Sequence, residues 1–203
     1  MGIADRKDRE RKELREKIIV AASELFLEHG LEKASIRMIA DKIEYSPATI
    51  YLHFKDKSEL FYVIMERAFQ KFFEYFSSVE HIEDPMERLK VLGTVYLKFA
   101  VDNPLYYDLM FVLRTPMETQ HTDESFEAGE RSHAVLTKTV EDCMKRGHFQ
   151  GHDPMALSLA IWGTVHGLAT LRLRDRLTMY PEDRQEQLVE QALHSFNAMV
   201  EKA

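Results

Sequence analysis

The stretch Ile36–Phe54 leaves this chain few ways to fold. Ile36, Ile39, Ala40 and Ile43 fall on one face of a helix of about two turns. Glu44-Tyr45-Ser46 then breaks it, and Pro47-Ala48-Thr49-Ile50-Tyr51-Leu52-His53-Phe54 has room for a second helix as short as the first. Ser46 is placed to cap that second helix, and Pro47 takes the first helical position, where its missing N–H costs nothing. Helices this short are marginal alone and need a longer neighbour to brace them. Two short helices across a tight turn, braced by a longer one, make a helix-turn-helix, the arrangement that lays its second helix in the major groove of DNA.

The rest of the chain is punctuated by proline. Asp84-Pro85, Asn103-Pro104, Thr115-Pro116 and Asp153-Pro154 repeat the pairing of a capping or turn residue with proline seen at Ser46-Pro47, and Tyr180-Pro181 adds a sixth boundary. Between these marks the apolar spacing is helical and never alternates as in strands. The spacing predicts nine helices, near 8–29, 36–43, 47–53, 57–79, 85–101, 104–114, 124–146, 154–175 and 182–201, and an all-α fold. Gly30 and Gly147 stand where left-handed helix C-termini are wanted. Asp56, with Glu59 three residues on, gives a capping-box pattern at the start of the fourth helix. The domains expected are a three-helix unit over 1–56 and a larger helical one over 57–203, with Gln120–Asp123 as the one linker.

Composition narrows the function classes. With 203 residues, 45% of them hydrophobic, the chain can bury a sizeable core. A single cysteine, Cys143, excludes an intrachain disulfide, and no signal-like stretch or run of ~18 apolar residues is evident, so a soluble, cytoplasmic protein without a membrane partner is expected. The net charge of −7 argues against a non-specific architectural DNA binder. Its distribution still permits DNA binding: residues 1–60 carry 12 basic and 12 acidic side chains, so the acidic excess lies elsewhere. Glycine-rich phosphate loops and serine or cysteine nucleophile motifs are absent, and His148 with His152 lacks a carboxylate at metal-ligand spacing, so no enzyme, metal or cofactor is expected.

Ile19-Val20-Ala21-Ala22 with Leu25-Phe26 and Gly30, then Ile39-Ala40, Ser46, Thr49-Ile50-Tyr51, His53-Phe54, Lys57 and Leu60, resemble the N-terminal domain of TetR-family transcriptional regulators. The segment Trp162-Gly163-Thr164-Val165-His166-Gly167 also resembles the Trp–His–Gly signature of one C-terminal subclass of that family. The resemblance implies a homodimeric, ligand-responsive DNA-binding protein, usually a repressor. One departure falls at the turn, where the family usually has glycine: Glu44 must adopt it at a cost on the order of 1 kcal/mol if its φ is positive.

Tyr51 is placed to reach a phosphate or a thymine methyl, and Thr49 and Pro47 share its side of the helix as base-edge candidates. Arg37 either forks onto a guanine or phosphate or is a solvated surface arginine. Lys57, at the start of the fourth helix, is expected to meet the DNA backbone through its ammonium and nearby N–H groups. His53 either donates to phosphate or only ends its helix. Ser35, Ser46 and Ala48 complete the expected DNA-binding set. The charged segment Asp5 to Lys17 reads either as an arm in the minor groove or as a charge-paired, solvated extension of the first helix; its alternating signs favour the second.

Aromatic residues crowd helices four to six, and Phe72, Tyr96, Phe99, Tyr106, Tyr107, Met110 and Phe111, with Trp162 and His166 from helix eight, form the expected ligand-binding set for a flat or apolar small-molecule effector. The competing reading is that these rings fill their own core. Gly163 and Gly167 would let a neighbouring helix approach closely. In helix nine Leu188, Val189, Ala192, Leu193, Phe196, Met199 and Val200 exceed what one core contact needs, so a homodimer through 154–175 and 182–201 is expected. The reader helices would then lie ~34 Å apart on a near-palindromic DNA operator. The rival reading is a helical ligand-binding or scaffolding protein without sequence-specific DNA binding.

Overall fold

The computed structural model describes residues 3–113 and 127–202, and among these there are nine α-helices and no strand. They are α1 (Ile3–Lys33), α2 (Ile36–Lys42), α3 (Pro47–Tyr51), α4 (Lys57–Ser77), α5 (Pro85–Asp102), α6 (Pro104–Phe111), α7 (Glu127–Lys145), α8 (Pro154–Leu173) and α9 (Gln185–Val200). The expected all-α fold holds, with shifted ends. α1 begins five residues before the expected start, α3 is a single turn and a half, and a 3-10 turn at Glu182–Arg184 delays α9. The Gln120–Asp123 linker, the Thr115-Pro116 boundary and positions 114 and 124–126 of the expected helices lie outside the described residues.

The described residues form two compact units, 3–69 with 105–113 and 70–104 with 127–202. The single helix α4 therefore contributes residues to both.

In the first unit α1 supplies Ile18, Ala22 and Phe26, α2 supplies Ile39 and Ala40, α3 supplies Ile50, and Phe54, Leu60 and Ile64 close the cluster, all at most 1% exposed. Large side chains of this kind each contribute roughly 1.5–3 kcal/mol when fully buried. The Phe26 and Phe61 rings meet edge to face at 5.6 Å. Leu109 of α6 joins the same cluster, and Tyr106 and Met110 pack on it.

The second unit is built around α5, which packs on α7, α8 and α9. Asp84 and Asp153 cap α5 and α8, accepting from the N–H groups of Glu87 at 2.9 Å and Ala156 at 2.8 Å, as their Asp-Pro sequences predict. Gly93 eases the crossing of α5 with its neighbours, because a Cβ there would lie 3.0 Å from a Leu193 methyl, which would have to give by a few tenths of an ångström, and 3.5 Å from Val165. Arg88 ties α5 to α7, donating to Asp142 at 2.8 Å and to Thr139 at 3.1 Å. The half-buried Asp142 carboxyl is held below its ordinary range chiefly by the hydrogen bond from Lys145. Cys143 is fully buried, and burial pushes its thiol up to about 11, which leaves it unreactive.

Two features of α8 bear on what it can pack against. A Cβ at Gly163 or Gly167 would meet nothing within 4 Å, so neither glycine admits a neighbouring helix of this chain. And α8 is long and apolar enough by length and composition to cross a membrane, with a mean hydropathy of 1.2 in its apolar window, because Ser158, Thr164 and His166 interrupt but do not offset its apolar residues. Only 22% of that window is buried within the chain.

Candidate nucleic-acid interface

The turn between α2 and α3 is set by local chemistry. Ser35 caps α2, accepting from the Met38 N–H at 3.2 Å, and Ser46 caps α3, accepting from the Thr49 N–H at 3.2 Å. Between them Glu44 takes φ 61°, in the left-handed region. Its N–H reaches the Asp41 carbonyl at 3.2 Å and the Tyr45 N–H reaches the Ala40 carbonyl at 2.9 Å, a Schellman-type close that satisfies the last carbonyls of α2. Glycine would do this without steric cost, so the strain expected at Glu44 is present.

The turn leaves one edge of α3 to solvent. Pro47 and Ala48 are exposed, Tyr51 is 54% exposed and Leu52 is 76% exposed, while Ile50 is wholly buried. Thr49 departs from its expected place beside Tyr51: it is half-buried, and its hydroxyl is 2.9 Å from that of Ser46, so it serves the cap. Arg37 is exposed, with only a 4.0 Å approach to Asp41, which leaves its guanidinium available.

Ser35, Arg37, Pro47, Tyr51 and Lys57 come together around one open concavity of about 450 Å³, with Glu32, Lys33, Ala34 and Ile36 completing its wall. Five of the nine expected DNA-binding residues, drawn from three helices, thus share one surface. Lys57, the first residue of α4, stands on the wall of this concavity, and a helix N-terminus favours an anion nearby. Asp56 accepts from the Glu59 N–H at 2.8 Å and the Glu59 carboxylate accepts from the Lys55 N–H, so the predicted capping box forms with its return bond one residue early.

Lys57 itself is engaged differently from the sequence expectation. Its ammonium donates to the carbonyls of Leu31 at 2.6 Å, Ala34 at 3.0 Å and Glu32 at 3.1 Å. Gly30, at φ 79° and ψ 158°, breaks α1 just before them and turns these carbonyls towards one point. The cation is therefore spent on holding the α1–α2 corner.

His53 is half-buried at the end of α3, and its carbonyl accepts from Arg15 of α1 at 2.9 Å. The same guanidinium lies 4.2 Å above the Phe54 ring. Burial first, then the positive charges of Arg11 and Arg15, hold the His53 imidazole below its ordinary value. Tyr45 and Leu52 are exposed beside the reader helix without being among the expected contacts. Arg15 is also missing from that set, although its phase on α1, 38 residues from His53 in sequence, was the available signal.

The expected ligand-binding residues divide between the units. Tyr106, Tyr107, Met110 and Phe111 stand on α6 in the first, where the Tyr107 and Phe111 rings lie 5.3 Å apart. In the second, Phe72 packs on Tyr96 at 5.7 Å and on Phe99 at 4.9 Å, all three buried. Trp162 Nε1 donates to the Tyr96 hydroxyl at 3.3 Å, and that hydroxyl stands 2.9 Å from His166 Nδ1. The Tyr96 hydroxyl can donate to Nδ1 or accept from it, so the contact accommodates the neutral imidazole in either tautomer. Burial lowers the His166 pKa, in agreement with that neutral form.

The described residues thus combine a helix-turn-helix with a second helical unit. The bacterial regulatory protein tetR-family model matches residues 18–63, and the tetracyclin repressor-like C-terminal domain model matches residues 89–196. The chain belongs to the TetR family of bacterial regulatory proteins. It is 34% identical over 93 residues to an HTH-type transcriptional regulator of Staphylococcus aureus strain USA300, a match covering 45% of this chain and 50% of that one. The chain thus spans about half the length of the curated relatives it matches. Among solved structures it is similar to the fatty acid degradation regulator FadR of Bacillus halodurans, with a TM-score of 0.67, 21% identity and coverage of 89% of this chain and 92% of that one. FadR of Bacillus subtilis in complex with stearoyl-CoA gives a TM-score of 0.68, 18% identity and coverage of 88% and 95%. At such identities these likenesses speak to the fold.

Proposed function

We propose that this protein is a homodimeric repressor, acting in the cytoplasm on a near-palindromic operator and released from it by a largely apolar small molecule. The observation that carries the DNA reading is the shared concavity: Tyr51 and Pro47 of α3 flank it with Arg37, Ser35 and the start of α4, which suits one strand's backbone beside a base edge. Lys57 acts there by fixing the α1–α2 corner, and Thr49 by capping α3.

Dimerisation is supported by α8, whose Met155, Leu159 and Leu171 are exposed, and by Met199 of α9. Gly163 and Gly167 leave open room that a helix of a second copy fits. An apolar effector is supported by the ring cluster of Phe72, Tyr96 and Phe99, with the Trp162–Tyr96–His166 hydrogen bonds as its polar feature; the Trp–His–Gly segment is where we place subclass character. Both FadR structures belong to regulators of fatty acid metabolism or bind stearoyl-CoA, which fits an apolar ligand. Because α4 contributes to both units, a ligand that favours one setting of α4 would shift the reader helices. A hundredfold loss of operator affinity needs ~2.7 kcal/mol of differential binding.

The test is a gel shift on DNA upstream of the gene, with Tyr51→Ala as the comparison. Binding with a sequence preference that Tyr51→Ala weakens supports the proposal. Failure of the wild-type chain to prefer its own upstream DNA over an unrelated duplex of equal length refutes it.

A further inference from the structure

The N-terminal extension of α1 is paired by charge on most of its surface but not all. Arg6 pairs with Glu10 at 2.7 Å, Lys12 with Asp8 at 2.8 Å and Arg9 with Glu13 at 3.8 Å. Lys7 and Arg11 make no ion pair among the described residues, and both are exposed. At 3.6 residues per turn, Lys7, Arg11 and Arg15 all lie within about 60° of Ile18, on the stripe that Ile18, Ala22 and Leu25 bury further along the helix, whereas the paired residues lie about 80° or more away.

The unpaired cations therefore continue the core-facing side of α1 beyond the end of the core. The core-facing side leads to the end of α3: Arg15 holds the His53 carbonyl at 2.9 Å and covers the Phe54 ring. Arg11, one turn on, is near enough for its charge to disfavour protonation of His53. Lys7 follows one turn further, so the three side chains start from points spread over ~12 Å of helix. Along one DNA strand, at 3.4 Å per nucleotide, that length matches three to four phosphates.

We infer that Lys7 and Arg11 form a phosphate-binding rail that extends the reader surface past the C-terminal end of α3, with Arg15 as the positioning residue that sets α1 against α3. The inference rests on the DNA reading proposed above. It adds an arm that binds the sugar-phosphate backbone without regard to base sequence, and it explains why three ion pairs occupy the other faces of the segment: they neutralise the cations that would otherwise compete for the same polyanion and hold the overhanging turns helical.

The experiment measures affinity for the upstream duplex and for an unrelated duplex of equal length between 50 and 200 mM salt, with wild type, Lys7→Gln/Arg11→Gln and the off-stripe control Arg9→Gln. Circular dichroism checks that helix content is equal in all three. The double variant is expected to bind both duplexes more weakly by the same factor, leaving sequence preference unchanged. Its log-affinity slope against log salt should be shallower by about 1.8, so that its deficit shrinks roughly twelvefold across that range. Arg9→Gln should keep the wild-type slope. Wild-type binding with an unchanged slope in the double variant, or an equal change in Arg9→Gln, overturns the rail alone. A wild-type chain that shows no preference for the upstream duplex overturns the DNA reading and the rail with it.

Discussion

Replacing Lys57 with alanine separates two accounts of this residue. Its ammonium serves three carbonyls, at 2.6, 3.0 and 3.1 Å, where α1 breaks and α2 begins. A hydrogen bond from a charged donor is worth about 1.5–3 kcal/mol net when buried. Here three bonds share one charge and the Glu32 carbonyl reaches water, so the whole arrangement is worth about 2–3 kcal/mol rather than three times that amount. For a chain of this size each kcal/mol moves the melting temperature by ~2–4 °C, so Lys57→Ala should lower Tm by about 6 °C. Operator affinity should fall as the corner carrying Ser35 and Arg37 loosens, while the salt slope of binding stays at the wild-type value. Lys57→Arg should lose much of the same stability, because a planar fork cannot converge on three carbonyls as an ammonium does. Thermal melts followed at 222 nm, together with a salt titration of operator binding, supply both readouts. A Tm within 1–2 °C of wild type, with a salt slope shallower by about 0.9, would refute this reasoning and return Lys57 to a direct phosphate contact.

Glu44→Gly should stabilise the protein by about 0.5–1 kcal/mol, since glycine adopts the φ of 61° without a Cβ penalty; a lower urea midpoint in the variant would contradict the strain assigned to that turn. His53 and His166 both have folded-state pKa values below the ordinary 6.5, so the unfolded chain takes up protons first as pH falls. Stability is therefore fully present above about pH 7 and is lost progressively as pH drops through 6.5 towards the folded values. The urea midpoint should fall between pH 7.5 and 5.5, above the carboxylate range, and His166→Gln should reduce that fall; an identical pH dependence in the variant would count against a half-buried, neutral imidazole at His166. Leu159→Glu, on the exposed apolar face of α8, should shift a micromolar sample from dimer to monomer in analytical ultracentrifugation while leaving the helical signal intact, and a variant dimer of wild-type affinity would remove α8 from the interface.

What the sequence by itself determined is everything encoded within a few residues. Ser35, Ser46, Asp84 and Asp153 cap the helices they precede, because a side-chain oxygen and the N–H it serves are three residues apart in any context. The helical spacing of apolar residues likewise predicts α2, α3 and their buried face, whereas the shared concavity also needs residues of α1 and α4. Tertiary structure decided where long side chains go once helices distant in sequence meet. Lys57 finds carbonyls 23 to 26 residues away and is withdrawn from solvent-facing work, and Arg15 finds His53 across 38 residues. Tyr106 and Met110 of α6 belong to the expected ligand-binding set and pack on the core of the first unit, since composition states that a residue will be enclosed and not by which neighbours. Local hydrogen bonding is a property of the chain's immediate order, whereas the partner of a flexible cation or a ring is chosen by packing, and packing exists only after the whole chain has folded.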